Sequence, residues 1–212
     1  MLTSYSLDRF VAPELSKLTA CGAPELPARE GEWLSRFALG TIFHNRVGAP
    51  HKLYSFSYLR KVEAAIEEYQ MAHGFLLRYV DGGRRTSDYF RSLRHFENCL
   101  AMAYQAMLIV QAMAKQAGEK KGPKFFEQGD GSLLERINRL YNDSKHIDGA
   151  IVRGDFPHDE ATLVIWLAND RIRSKACDVA YQELHEFLLE LAKWAGVVAT
   201  QTLPEDPATT SS

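Results

Sequence analysis

The chain has 212 residues, 46% of them hydrophobic and 25% charged, which is the composition of a soluble globular protein built around one sizeable domain. That composition excludes wholesale disorder and collagen-like repeats, and a chain of this length buries about 70% of its unfolded surface without help from a metal or a disulfide. With 25 basic against 27 acidic residues the net charge is −2, and any contact with nucleic acid must come from a local patch.

Residues 1–55 read as an extension packed on a core, with short helices over 7–18 and 30–43 separated by Pro24 and Pro27. The start lacks the basic and apolar regions of a signal peptide. The spacing then predicts a first long helix over 56–80, where Leu59, Val62, Ile66, Tyr69, His73, Leu76 and Val80 step alternately by three and four. Asp81-Gly82-Gly83 ends it, because glycine accepts the left-handed cap. A second helix over 87–117 carries Leu93, Phe96, Leu100, Ala103, Met107, Val110 and Ala114 on one face. Phe90, Tyr104, Leu108 and Ile109 add a second apolar flank, which places this helix at the centre of a bundle or at a subunit interface. Residues 118–131 read as a long loop. A third helix over 132–147 buries Leu133, Ile137, Leu140, Ser144 and Ile147. Ile151-Val152 and the β-favouring run 163–167 predict a small hairpin before the last helix. That helix spans 175–200, with Cys177, Tyr181, Leu184, Leu188, Leu191, Ala195 and Val198 on one face. Residues 201–212 read as a flexible polar tail. The fold class is all-α: an antiparallel four-helix bundle core over 56–200, with N-terminal helical additions and a short β-hairpin between the last two helices.

The three cysteines, Cys21, Cys99 and Cys177, are widely spaced and form no Cys-x-x-Cys pair. This argues against a disulfide framework and for a reducing, cytoplasmic setting. No stretch is long and apolar enough to predict a membrane span. Helix three holds the most informative residues. At about 100° per residue Arg139, Asn142 and His146 fall at about 0°, 300° and 340°, one narrow stripe centred about 120° from the apolar one. Histidine moves protons at neutral pH, arginine clamps a phosphate and stabilises charge developing on it, and asparagine orients either. The trio therefore suits phosphodiester chemistry, although a polar stripe opposite an apolar one is also what any solvated helix face looks like. His73, on the apolar face of helix one, reads as a core histidine. Asp143-x-x-His146 is the best candidate metal pair, but no Glu-x-x-His occurs anywhere, so neither a metal nor another cofactor is expected. Arg91, Arg94 and His95, with Arg84 and Arg85 before them and Lys145 on helix three, are candidates for contacts to an RNA backbone. Lys115, Lys120, Lys121 and Lys124 form a second basic group, and ordinary solubilising charge is the alternative for both.

Arg139, six intervening residues and His146, late in the third helix of a four-helix core, resemble the HEPN superfamily, whose hallmark is an Arg and a His a few residues apart. Tyr141-Asn142-Asp143-Ser144-Lys145-His146 is similar to an Asn-x-x-Lys-His variant of that motif, and Val164-Ile165-Trp166-Leu167-Ala168-Asn169-Asp170 is similar to the stretch C-terminal to the motif in such proteins. The resemblance covers roughly residues 56–200. It implies a homodimer in which two motifs form one composite site, and a metal-independent endoribonuclease of the kind found among toxins and antiviral-defence effectors. Arg139 and His146 would be the catalytic pair, Asn142 would support them, and an inhibitor or activating partner would restrain the activity. Leu140 stands where many active members carry a polar residue. That departure keeps a second reading open: a catalytically silent helical dimer that binds RNA, a nucleotide or a protein.

Overall fold

The long three-and-four apolar repeats form long helices, and their meeting defines the core. In this computed structural model, which describes residues 4–27, 33–44, 51–116, 124–146, 152 and 163–200, α1 spans Ser4–Phe10 and a single 3₁₀ turn Leu15–Lys17. Next come α2 (Trp33–His44), α3 (His51–Asp81), α4 (Thr86–Gln116) and α5 (Leu133–Lys145). Strands β1 (Ile165–Leu167), β2 (Arg171–Ser174) and β3 (Asp178–Ala180) precede the last helix, α6 (Tyr181–Thr200). The described chain is mostly helical, and none of its helices is long and apolar enough to cross a membrane.

α3 and α4 form an antiparallel pair in contact along their length. Tyr69 meets Phe96 edge-on with centroids 5.8 Å apart. Ser92 donates its hydroxyl proton to the Ala72 carbonyl (2.8 Å), and Lys61 reaches Met102 at the other end. Leu59, Val62, Ile66, Tyr69 and Leu76 of the predicted stripe are buried, whereas His73 is only partly so. The turn between the helices uses Gly83 at φ +87°, a conformation glycine adopts without steric cost. α6 lies along α3, where the Tyr58 hydroxyl donates to the Leu191 carbonyl (3.1 Å), and α2 packs against both α3 and α6. α5 packs against α4 and the sheet.

The β excursion sits between α5 and α6 as predicted, but its strands differ. β1 pairs antiparallel with β2, and β2 with β3. The partner of residues 165–167 is thus 171–174 rather than the predicted Ile151-Val152. Ile151 lies outside the described residues, and Val152 is exposed. The last helix starts at Tyr181, not near residue 175, because residues 178–180 are held in a strand and the Glu183 carboxylate accepts the Ala180 N–H at the helix start (3.0 Å). Cys177 therefore belongs to the β2–β3 turn. Ile147 and residues 201–212 lie outside the described residues.

The N-terminal segment is part of the same core. Ala12, Leu15, Leu18, Ala23, Leu26 and Phe37 are buried within it. The region predicted as one helix over 7–18 breaks after Phe10, three residues before Pro13, which lacks a backbone donor. After the 3₁₀ turn the chain carries no regular secondary structure up to residue 27 and is tied down at defined points. The Asn169 side chain accepts the N–H groups of Thr19 (2.8 Å) and Ala20 (3.0 Å), and the Tyr69 hydroxyl donates to the Pro24 carbonyl (2.8 Å). Gly22 donates to the Asn169 carbonyl (2.6 Å). A Cβ at residue 22 would stand 2.6 Å from that same oxygen, so this crossing requires glycine.

Candidate functional site on the fifth helix

The turn before α5 fixes where that helix begins. Asp130 accepts the N–H groups of Glu127 (2.7 Å) and Ser132 (2.8 Å), bonds that hold its carboxyl below the usual range. The Ser132 hydroxyl accepts the Glu135 N–H (3.2 Å), capping the helix. Glu135, only 4% exposed, turns back to accept the N–H groups of Gly129 and Gly131, both at 2.8 Å. A carboxylate in the first turn also favours the helix dipole.

Three faces of α5 then do different work. Ile137 and Leu140 are fully buried against the core. Beside them Ser144 donates to the Glu97 carboxylate of α4 (3.1 Å), and burial pushes that carboxyl up. Leu140, the residue after Arg139, thus serves packing. The second face carries Arg136, whose guanidinium grips both Glu183 oxygens (2.9 and 2.6 Å) and donates to the carbonyls of Asp178 (3.0 Å) and Gly131 (3.2 Å). These bonds hold the Glu183 carboxyl below its ordinary range. The Cys177 Sγ points at the Arg136 carbonyl (3.7 Å), and burial pushes its thiol up.

The third face holds the predicted trio. The Arg139 side chain is 50% exposed and meets Glu135 only at 4.0 Å. The Asn142 amide donates to the Asn138 side chain (3.1 Å). His146 is the capping residue beyond the last turn, its N–H on the Asn142 carbonyl (3.0 Å) and its side chain exposed. Among the described residues no side-chain hydrogen bond joins Arg139, Asn142 and His146 to one another. Lys145, exposed beside them, lies 5.7 Å from the Tyr141 ring centroid.

The RNA-contact candidates of α4 lie in a separate cluster facing α3. Arg91 and Arg94 are exposed, but the His95 side chain is only 12% exposed. Its ring stacks on Phe75 (5.4 Å, 7° between planes). Nδ1 lies 2.6 Å from the Glu68 carboxylate and Nε2 3.3 Å from the Arg94 guanidinium. Sequence reasoning missed Glu68, Phe75 and Arg78 as members of this cluster. Only the register of α3 against α4 brings them together. Lys124 pairs with Glu127 (3.6 Å), while Lys120 and Lys121 lie outside the described residues. Among the described residues no group of three His, Cys, Asp or Glu side chains is placed to hold a metal ion. A cleft of about 450 Å³ opens elsewhere, walled by Tyr58, Met113, Leu191 and Trp194, and it contains none of these residues.

No protein-family model, characterised protein or solved structure matches the chain.

Proposed function

We propose that the chain is a HEPN-like endoribonuclease that works as a symmetric homodimer, with α3, α4, α5 and α6 as its four-helix core. One observation carries the reading. Along one short helix Arg136 is fully engaged in holding the fold, whereas Arg139 and His146 face solvent from a common stripe with only weak or no internal side-chain ties. An exposed arginine and an exposed histidine on one stripe of a helix are groups available to a ligand.

In this reading His146 takes the proton of a ribose 2′-hydroxyl as that oxygen attacks the adjacent phosphorus. Arg139 neutralises the charge gathering on the non-bridging oxygens, and Asn142 orients the strand. The bond from phosphorus to the 5′-oxygen breaks, and the partner's His146 returns a proton to that leaving oxygen. The products are a 2′,3′-cyclic phosphate and a 5′-hydroxyl, with all atoms and protons accounted for. Such an activity in a cell calls for an inhibitor or an activating partner. The second reading, a silent helical dimer that binds RNA, a nucleotide or a protein, draws on the buried Leu140 and on the lack of side-chain hydrogen bonds within the trio.

The test is incubation of the full chain with a broad RNA panel in EDTA, alongside light scattering. Cyclic-phosphate ends and twice the chain mass are expected. A strict monomer that leaves every RNA intact overturns the nuclease reading.

A further inference from the structure

Two arginines lie over one aromatic ring at the α3–α4 surface, and a third sits beside the histidine stacked on that ring. The Arg78 guanidinium carbon lies 4.0 Å from the Phe75 ring centroid and that of Arg91 5.5 Å from it. Arg94 sits beside His95, which covers the same ring. All three arginines are exposed, and among the described residues none of them makes an ion pair with a carboxylate. The acid within the cluster, Glu68, is occupied by the His95 Nδ1 (2.6 Å) and the Asn98 amide (3.3 Å).

Like charges three residues apart on a helix, such as Arg91 and Arg94, repel. Phe75 offsets part of the cost of gathering these charges through cation–π attraction to Arg78 and Arg91, while Arg94 rests against the His95 ring nitrogen. Phe75 is 7% exposed, so the ring is a platform for the arginines and has little free surface for an apolar ligand. What remains for a ligand is the donor edges of Arg78 and Arg91 and the rest of the Arg94 fork, one nitrogen of which lies 3.3 Å from His95 Nε2. That geometry matches tetrahedral oxyanions, which guanidinium groups bind with two parallel hydrogen bonds.

We propose that Arg78, Arg91 and Arg94, arranged by Phe75 and the Glu68–His95 pair, form a phosphate-binding site. The backbone of a single-stranded RNA is its favoured source of phosphate, and that source rests on the reading of α5 above, while the phosphate chemistry does not. The site takes consecutive phosphates of one strand, because three forks spread over two helices exceed the needs of a single phosphate.

The test uses the full chain carrying His146→Ala, so that binding is read without cleavage. A labelled single-stranded RNA oligonucleotide is titrated at several salt concentrations, and inorganic phosphate is titrated separately. Replacing Arg78, Arg91 and Arg94 together by Gln is expected to weaken RNA binding at least tenfold. It should also flatten the salt dependence by about two units of slope, at about 0.7 for each phosphate no longer neutralised. The Arg→Lys triple variant keeps the charge but loses the forks, and it should fall between parent and Gln variant while keeping the parental slope. It also covers the case in which the Gln variant fails to fold. Loss of inorganic phosphate binding alone assigns the site to free phosphate and leaves the strand reading refuted. Unchanged binding of both probes in the triple variants, or a parent that binds neither, overturns the site. The α5 nuclease reading is judged separately, by cleavage in the chain with His146 intact.

Discussion

Arg136 and Arg139 stand three residues apart on one helix and should respond in opposite ways to truncation. Arg136→Ala removes two charge-assisted bonds to Glu183 and two bonds to backbone carbonyls. Hydrogen bonds to charged groups contribute about 1.5–3 kcal/mol each when well shielded. The Glu183 side chain is 40% exposed, and water weakens such a pair toward the surface value of under about 1 kcal/mol. A net loss of about 2 kcal/mol follows, which lowers Tm by about 4–8 °C for a chain of this size. Arg139→Ala removes only a 4.0 Å, half-exposed pairing and should cost under about 0.5 kcal/mol. The pH dependence sharpens the contrast. Arg136 holds the Glu183 carboxyl below its ordinary value of 4.5, so the folded chain binds that proton less readily than the unfolded chain. The stabilisation is complete above the ordinary value and is lost as pH falls through the lower, folded value. Melting followed by circular dichroism should show parent and Arg136→Ala far apart at neutral pH and converging in acid. Equal drops for the two variants, or a larger one for Arg139→Ala, would refute the division between a structural and a free arginine.

Leu100, 1% exposed at the centre of α4, should not tolerate Leu100→Asp, which buries an unpaired charge; a parental melting curve would contradict the core assignment. Glu97→Gln should leave stability unchanged below pH 4.5, the carboxyl's ordinary value, and raise it increasingly above that. The folded chain holds this proton more tightly than the unfolded one, so the parent loses stability as pH rises, and a pH series of melts reads the difference. Tyr69→Phe strips the hydroxyl from the Pro24 carbonyl and should cost about 1 kcal/mol, with faster amide exchange over residues 18–27; unchanged exchange there would show that the segment is held elsewhere.

The long helices were legible because burial repeats every three or four residues over many turns. Leu59 to Leu76 and Leu93 to Ala103 are buried largely as their spacing implies. The sheet was not legible in full. Its strands have three or four residues, too few for a period, and Cys177 lies four before Tyr181, so a turn residue mimicked the next step of a helical stripe. The run after Leu18 carries no pattern at all, since single contacts such as Asn169 with Thr19 hold it. On α5 the polar stripe was readable from angles alone, but the difference between Arg136 and Arg139 was not. It depends on Glu183, 47 residues away. The Phe75 cluster was hidden for the same reason, since half of its members sit on a neighbouring helix.

The central claim is that Arg139 and His146 act together on RNA, and the rates of cleavage by the two alanine variants and their double variant test it most directly. The account predicts that cleavage persists in EDTA for the parent and disappears in Arg139→Ala and in His146→Ala. The double variant should lose no more than either single one, because removing one member already disables the unit, and melting temperatures should stay near the parent's. A His146→Ala variant that cuts RNA as fast as the parent would contradict it.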